Sequence, residues 1–580
     1  MEWKNVWMSC MLASFPLNLF AASGTWDNGN ANFLWQDNTN WSGLTFPNAV
    51  GDVATFDTAA SGTISLAVGD LDLSQIRFIG TGSYTINTGG SLTFAGTSQT
   101  ILFSLGASGA NIIDVPLSGG STIQVDQQTT LGDLTISGII SGPSILDKIG
   151  TGTLILEGAN TYTGGTTVNV GTLKIGASGD INSSSSVTVG GSATLEIVSG
   201  SKTINNLSGS SSSFIELNAS TLSVNQTTAG TYLGVISGTG SLTKTGAQKL
   251  TLSGTNTYGG GTTVTAGTLE GTTSSLQGDI FNNAEVIFDQ TIFGSYTGVM
   301  SGSGALTKAG VGTLLLSGAN SYIGGTTVEE GILEGTTTSL QGEITNNAVV
   351  VFDQAVAGTY SGIMSGTGSL VKEGVGVVTL SGMNSYTNGT TVTAGTLKGT
   401  TSSLQGNILN NAAVIFDQGF DGTYAGVMSG TGSLVKEGVG VLTLSGTNTY
   451  GGGTTVTAGT LEGTTSSLQG NILNNAAVIF DQGSDGTYAG VISGTGTLTK
   501  EGVGIVTFTG ANSFVGGTTI NAGTILLSGT SSTLSSSSGS LTLSASGTFQ
   551  VASGAGAKAI GTLESSPAGS QIILNSTTLT

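Results

Sequence analysis

The chain has 580 residues, among them 97 glycines, 33 acidic against 13 basic residues, a single cysteine and no histidine. Without histidine there is no Ser-His-Asp triad, no imidazole base and no imidazole metal ligand, and one cysteine, Cys10, excludes an intramolecular disulfide framework and any multi-thiolate zinc site. A net charge of -20 argues against the nucleic-acid backbone as a partner, because phosphates are neutralised by clustered Lys and Arg.

Residues 1–23 read as a secretory signal peptide. Apolar Val6, Trp7, Met8, Met11, Leu12, Leu17 and Phe20 lead to the small residues Ala21, Ala22 and Ser23, where cleavage is expected. Cys10 would leave with that segment. No other stretch approaches the roughly 20 apolar residues of a membrane helix.

Residues 24–58 hold Trp26, Trp35 and Trp41. Their expected role is an N-terminal cap over an otherwise open strand edge; a carbohydrate-stacking aromatic patch is the functional alternative. Residues 59–146 read as irregular strand coils with no fixed repeat length.

Residues 147–526 are tandem repeats, and a fixed period dictates architecture before any local signal does. From about residue 232 the period is 64: Tyr232, Tyr296, Tyr360, Tyr424 and Tyr488 keep it, as do Lys244, Lys308, Lys372, Lys436 and Lys500, and Asn256, Asn320, Asn384, Asn448 and Asn512. Residues 399–419 and 463–483 are identical. Within a unit, short alternations such as Val441, Leu442, Leu444 or Val478, Ile479, Phe480 are separated by Gly, Asn, Ser and Thr, which is strand chemistry with turn punctuation. High glycine content could also mark a disordered chain, but a charge of about 0.03 per residue and 37% hydrophobic residues in alternating runs oppose that. The fold class is therefore all-β. Three coils of about 21 residues suit a 64-residue unit of a stacked solenoid, although the 96 residues between Lys148 and Lys244 do not divide by 21. Residues 527–580 become Ser-rich terminal coils.

The motif LVKEGVGVLTLSGTNTYGGGTTVTAGTL, from Leu434 to Leu461, closely resembles the autotransporter-associated β-strand repeat, also called the passenger-associated transport repeat. Further copies begin near Leu146, Leu242, Leu306, Leu370 and Leu498, and the run from Trp26 to Phe56 looks like the opening of such secreted chains. The resemblance implies a right-handed parallel β-helix (β-solenoid) of pectin-lyase-like architecture, an autotransporter passenger exported through a bacterial outer membrane to the cell surface or released. A translocator barrel of alternating strands is not legible before Thr580, so an outer-membrane translocator is expected as a partner outside this sequence.

The repeated acids are the first candidates for catalytic chemistry. Asp289, Asp353, Asp417 and Asp481 would stand about 14 Å apart if a unit were three coils, too far for the roughly 5 to 9.5 Å of paired glycosidase carboxylates; they are expected to cap turns or face solvent. Lys372-Glu373, Lys436-Glu437 and Lys500-Glu501 point to opposite faces of a strand and read as solvated charges. Arg77 is the only arginine and has no repeated partner. Asn282-Asn283, Asn346-Asn347, Asn410-Asn411 and Asn474-Asn475 are expected to bond turn backbone. The calcium-binding nonapeptide and the phosphate loop are absent, and Gly238-Thr239-Gly240 follows from composition.

No catalytic, metal or cofactor-binding residue is therefore assigned, and no cofactor is expected. The expected function is a non-enzymatic surface adhesin or scaffold that contacts a host or neighbouring cell-surface protein or glycan. A polysaccharide-acting enzyme housed in residues 59–146 or 175–230, and a purely structural spacer that aids secretion, are the alternatives.

Overall fold

The structure is a computed structural model that describes residues 23–580 apart from 30, 58–60, 67–68, 88, 95–99, 105–108, 129, 131, 535–538, 566–567 and 576–577. The expected signal peptide, with Cys10, lies outside the described residues. Two compact units are formed, the first running to Leu242 and including Thr257–Gly259, the second made of Thr243–Asn256 and Gly260–Thr580.

Both are built from short parallel strands stacked coil on coil, a β-solenoid, and the only helix among the described residues is the 3-10 turn Asn38–Asn40. Alternation explains why. In strands such as Val441–Leu444 every second side chain is buried and its neighbours are half-exposed, so Leu442 and Leu444 enter the core while Val441 and Thr443 face outward. Parallel stacking then sets like on like: Leu442 lies in register with Leu461, and Leu461 with Val478.

In the first unit the partners are unevenly spaced along the chain: Thr153 meets Thr172, whereas Thr85 reaches over a longer coil to Ile112. Aromatics cluster on the strand Val53–Phe56. Trp26, Trp35 and Trp41 are at most 1% exposed, with Trp26 and Trp41 edge to face at 5.2 Å and all three against Phe56. Trp35 donates its indole N–H to the Pro47 carbonyl and Trp41 to that of Trp35. None of these three indole faces is open, which removes them as the expected alternative of a carbohydrate-stacking patch, since stacking on sugar needs an exposed ring.

In the second unit the coils are regular and three-sided. Met428–Ser429, Ser433–Glu437 and Val441–Leu444 follow one another along the chain yet belong to three different sheets. Along one sheet the register runs Gly358, Val378, Leu397, Val414, Leu434, Thr454, Ile472, Ile492. These are the eight strand types of the repeated unit, each contributed once. Two further sides of the unit are not strands. One is the loop at Asn448, which accepts from the Met428 amide of the coil before; the other is the Thr464–Ser467 turn, whose Ser467 carbonyl takes the Asn448 amide proton.

A unit therefore has ten sides on a three-sided coil and occupies three and a third coils. This corrects the expectation that three coils of about 21 residues make up a unit. Each unit is displaced by one face relative to the unit before it, as the eight-stranded sheets starting at Gly294–Tyr296 and at Gly358–Tyr360 show. Only every third unit returns to the same face.

Candidate functional site

The displacement decides where the repeated acids go. Asp289, Asp353, Asp417 and Asp481 each end an equivalent strand, but Asp353 and Asp417 belong to different sheets, and Asp481 to a third. The expectation of successive copies about 14 Å apart on one face fails, because the structure does not bring neighbouring copies to a common face at all. Asp289 and Asp481 share one, ten coils apart, on the order of 48 Å at the spacing of stacked strands. Their side chains face outward, as expected, and none forms a carboxylate pair with its equivalent.

The repeated lysines are placed against expectation. Lys148, Lys244, Lys308, Lys372, Lys436 and Lys500 are at most 1% exposed, not solvated. Lys436 shares its strand parity with Leu434, so it points inward, and Glu437 points out. Its ammonium donates to the carbonyls of Glu437 at 2.6 Å, Gly438 at 2.8 Å and Ala458 at 3.2 Å, the last on the next coil. All three ammonium protons are thus used. The same three bonds recur at Lys148, Lys244 and Lys308, and Lys372 and Lys500 repeat them with Ala394 and Ala522 on the following coil.

Glycine makes room for this arrangement. Gly459 has φ +67, and a Cβ there would lie 2.8 Å from the Lys436 Nζ; a side chain would be strained and would also press on the ammonium. Burial lowers the lysine pKa at every one of these positions, to about 8 at Lys148 and Lys244. The lysines close the corner of the coil and present no charge outside.

Asparagines fix the remaining corners. Asn282, Asn346, Asn410 and Asn474 are fully buried; Asn410 donates to the Ser433 carbonyl on the next coil and accepts from the Ala412 amide. This is the backbone role expected of them. Asn448 and its equivalents Asn320, Asn384 and Asn512 bracket three coils in the manner already described, and Tyr424 donates its hydroxyl to the Gly406 carbonyl at 2.7 Å while its ring packs 5.1 Å from Phe416.

The recurrent Lys, Asn and Tyr groups are thus used inside the coil, and the repeated acids stay outside. What the surface does carry is apolar corners and stacked charges. Phe420 is 88% exposed and Val439, on the adjoining coil, 82%, and a Cβ at Gly440 would meet the Phe420 backbone at 2.5 Å, which shows how closely the two corner turns lie. The equivalents of Phe420 are Ile292, Val356 and Ser484, so the outward tip varies from unit to unit whereas the internal Lys, Asn and Tyr do not. Recesses of about 460 and 300 Å³ lie at Gly324-Gly325/Gly342-Glu343 and at Gln277-Gly278-Asp279; glycine makes half the lining of the first, and Thr273, Gln277, Asp279, Ser295 and Tyr296 line the second. Among the described residues no group of three acidic or other ligating side chains is placed to hold a metal ion, and no helix is long and apolar enough to cross a membrane.

The sequence profile of the passenger-associated-transport-repeat matches residues 146–175, 242–270, 306–334, 370–398, 434–462 and 498–527. These are the six copies legible from the motif beginning at Leu434. A curated relative, the adhesin BmaC autotransporter of Brucella suis biovar 1 (strain 1330), is 30% identical over 505 residues, 82% of this chain and 13% of the adhesin. The chain thus spans about an eighth of the relative's length. No solved structure matches.

Proposed function

From the fact that this chain is an autotransporter passenger domain carrying six passenger-associated transport repeats, we propose that it is a non-enzymatic surface protein whose work is adhesive contact. One observation carries the proposal: the similarity to an adhesin extends over 82% of the chain, through repeats whose recurrent Lys, Asn and Tyr side chains are buried in internal hydrogen bonds. Export through the outer membrane by a translocator puts the passenger at the cell surface. Its partner there is a host or neighbouring cell-surface protein or glycan. Distributing equivalent outward residues over three faces lets several weak contacts act together, and linked weak sites gain avidity without any new contact.

Beads coated with the purified chain are expected to attach to cultured host cells or to neighbouring bacteria above beads coated with an unrelated acidic protein. Attachment equal to that control overturns the reading.

A spacer that aids secretion is the second reading, favoured by the variation of the outward tips Ile292, Val356, Phe420 and Ser484 over an unvarying interior. Deleting residues 296–487, three whole units, keeps the face of everything that follows. A spacer deleted in this way loses reach alone, so beads coated with the shortened chain attach as well as those with the full chain; a multivalent adhesin loses avidity.

A further inference from the structure

Lys398 occupies the third position of the strand Thr396–Gly399. Its ammonium lies 3.0 Å from the Asp417 carboxylate and 2.8 Å from that of Glu437. The three side chains come from successive coils of one sheet: Lys398 is in register with Ile415, two residues before Asp417, and Asp417 with Glu437. All stay open to water, with side-chain exposures of 27%, 45% and 34%.

The units on either side build the same arrangement with a single change, glutamate in place of lysine. Glu334 is in register with Val351, two residues before Asp353, and Asp353 with Glu373. Glu462 is in register with Ile479, two before Asp481, and Asp481 with Glu501. Where the middle unit has two carboxylates and an ammonium between them, its neighbours have three carboxylates. Burial, followed by the charges of Asp353 and Glu373, raises the pKa of Glu334; burial, followed by Asp481, Glu501 and Asp421, raises that of Glu462. The chain thus contains its own example of what these acids hold.

We propose that the triads Glu334/Asp353/Glu373 and Glu462/Asp481/Glu501 recognise primary ammonium groups, the lysine side chains of a cationic protein surface, as Asp417 and Glu437 hold Lys398. Geometry separates this ligand from a metal. A calcium ion takes six to eight oxygens at about 2.3–2.6 Å, and among the described residues no three acids are placed for it, whereas the Lys398 contacts have the length of charge-assisted N–H···O bonds. A net charge of -20 draws a cationic partner from a distance. The two triads belong to different sheets, so they bind independently. Glu501 already accepts from the Asn521 amide at 2.7 Å, which makes its triad the weaker of the two.

The inference rests on the adhesive reading only for its biological use, and a solution measurement keeps the two apart. Tetralysine peptide titrated into the full chain at low ionic strength, followed by calorimetry, is expected to fill two sites, and its Nε-acetylated form none. Glu334→Lys with Glu462→Lys should weaken binding about tenfold or more. Glu343→Lys with Glu564→Lys makes the same change in charge at acids outside the triads and should leave binding within about twofold. Lys398→Glu should add a third site. Circular dichroism confirms that each variant retains its strands. Equal losses in the two double variants, no binding by the unaltered chain, or calcium held at the triads in preference to the peptide each overturn the proposal. Bead attachment without peptide binding would sink the ammonium sites and leave the adhesive reading standing.

Discussion

The Lys436 ammonium and the Ala458 carbonyl, 3.2 Å apart, join two consecutive coils across the inside of a corner. Two more carbonyls, those of Glu437 and Gly438, share the same ammonium. A methionine at this position keeps the stem of the side chain and takes the ammonium from the Gly438 and Ala458 oxygens, while the Glu437 carbonyl keeps the Gln418 amide; a buried unsatisfied polar group costs about 1–3 kcal/mol. Lys436→Met is expected to destabilise its coils by about 3 kcal/mol, raising hydrogen exchange of the amides between residues 436 and 460 roughly a hundredfold. Unchanged exchange there would show that the bonds contribute nothing.

The same burial makes stability depend on pH. In the folded chain Lys148 and Lys244 titrate at about 8, and in the unfolded chain at the ordinary 10.5. Below pH 8 both states hold the protons and the contribution is flat. Between those two values the unfolded state binds more protons, so stability rises with pH through that window. Thermal unfolding of the chain and of its Lys148→Met, Lys244→Met variant should show the unaltered protein gaining on the variant from pH 8 to 10. A difference that stays level or shrinks would contradict the placement of these amines.

Phe416 and Phe420 lie four residues apart and face opposite environments. Phe416 is fully buried, whereas Phe420 is 88% exposed. A carboxylate at the first position loses its water, at several kcal/mol; at the second it keeps it. Phe416→Asp, and likewise Val478→Asp, should lower the thermal midpoint of the second unit markedly, while Phe420→Asp should move it hardly at all. Equal effects at both positions would mean that the register is wrong.

Cysteine pairs test the ten-sided unit directly, because Cys10 is the only natural thiol and can be replaced by serine. Leu409 and Ser429 are register partners on adjacent coils, at a strand spacing of about 4.8 Å that suits a disulfide. Leu409 and Leu473 are equivalent residues of neighbouring units but lie in different sheets. In a Cys10→Ser background, Leu409→Cys with Ser429→Cys should oxidise readily to an intramolecular disulfide seen by mass spectrometry. Leu409→Cys with Leu473→Cys should stay reduced, since the two lie in different sheets; failure of the first pair to oxidise would overturn the register from which the ten sides are counted.

Much of this is legible in the text of the chain. Alternation at Val441–Leu444, the positions of the six repeats and the bonding of Asn410 to turn backbone follow from residue type and spacing. Lys436 is misplaced when its charge is weighed above its parity, although it stands in phase with Leu434 and both point inward. A net of three carbonyls is the reason that phase wins, and no sequence pattern announces it. The coil number fails for a related reason. Counting strands alone misses the two sides made by the Asn448 loop and the Thr464 turn, and those two sides turn three coils into three and a third. The acid triads are invisible in the sequence because Glu334, Asp353 and Glu373 stand on three separate coils and meet only through the register.

Ten sides wound on a three-sided coil act like a vernier. Along any sheet of the second unit, each strand type rests on a different type, and eight strands with the loop and the turn pass before a type recurs. A chain whose text repeats almost word for word therefore never stacks a coil on its own copy. A slip by one coil would set Phe416, now packed over Gly399, against a side chain of the wrong size, so misthreading is penalised at once. Duplication could lengthen such a protein many times over while every joint kept a single correct partner.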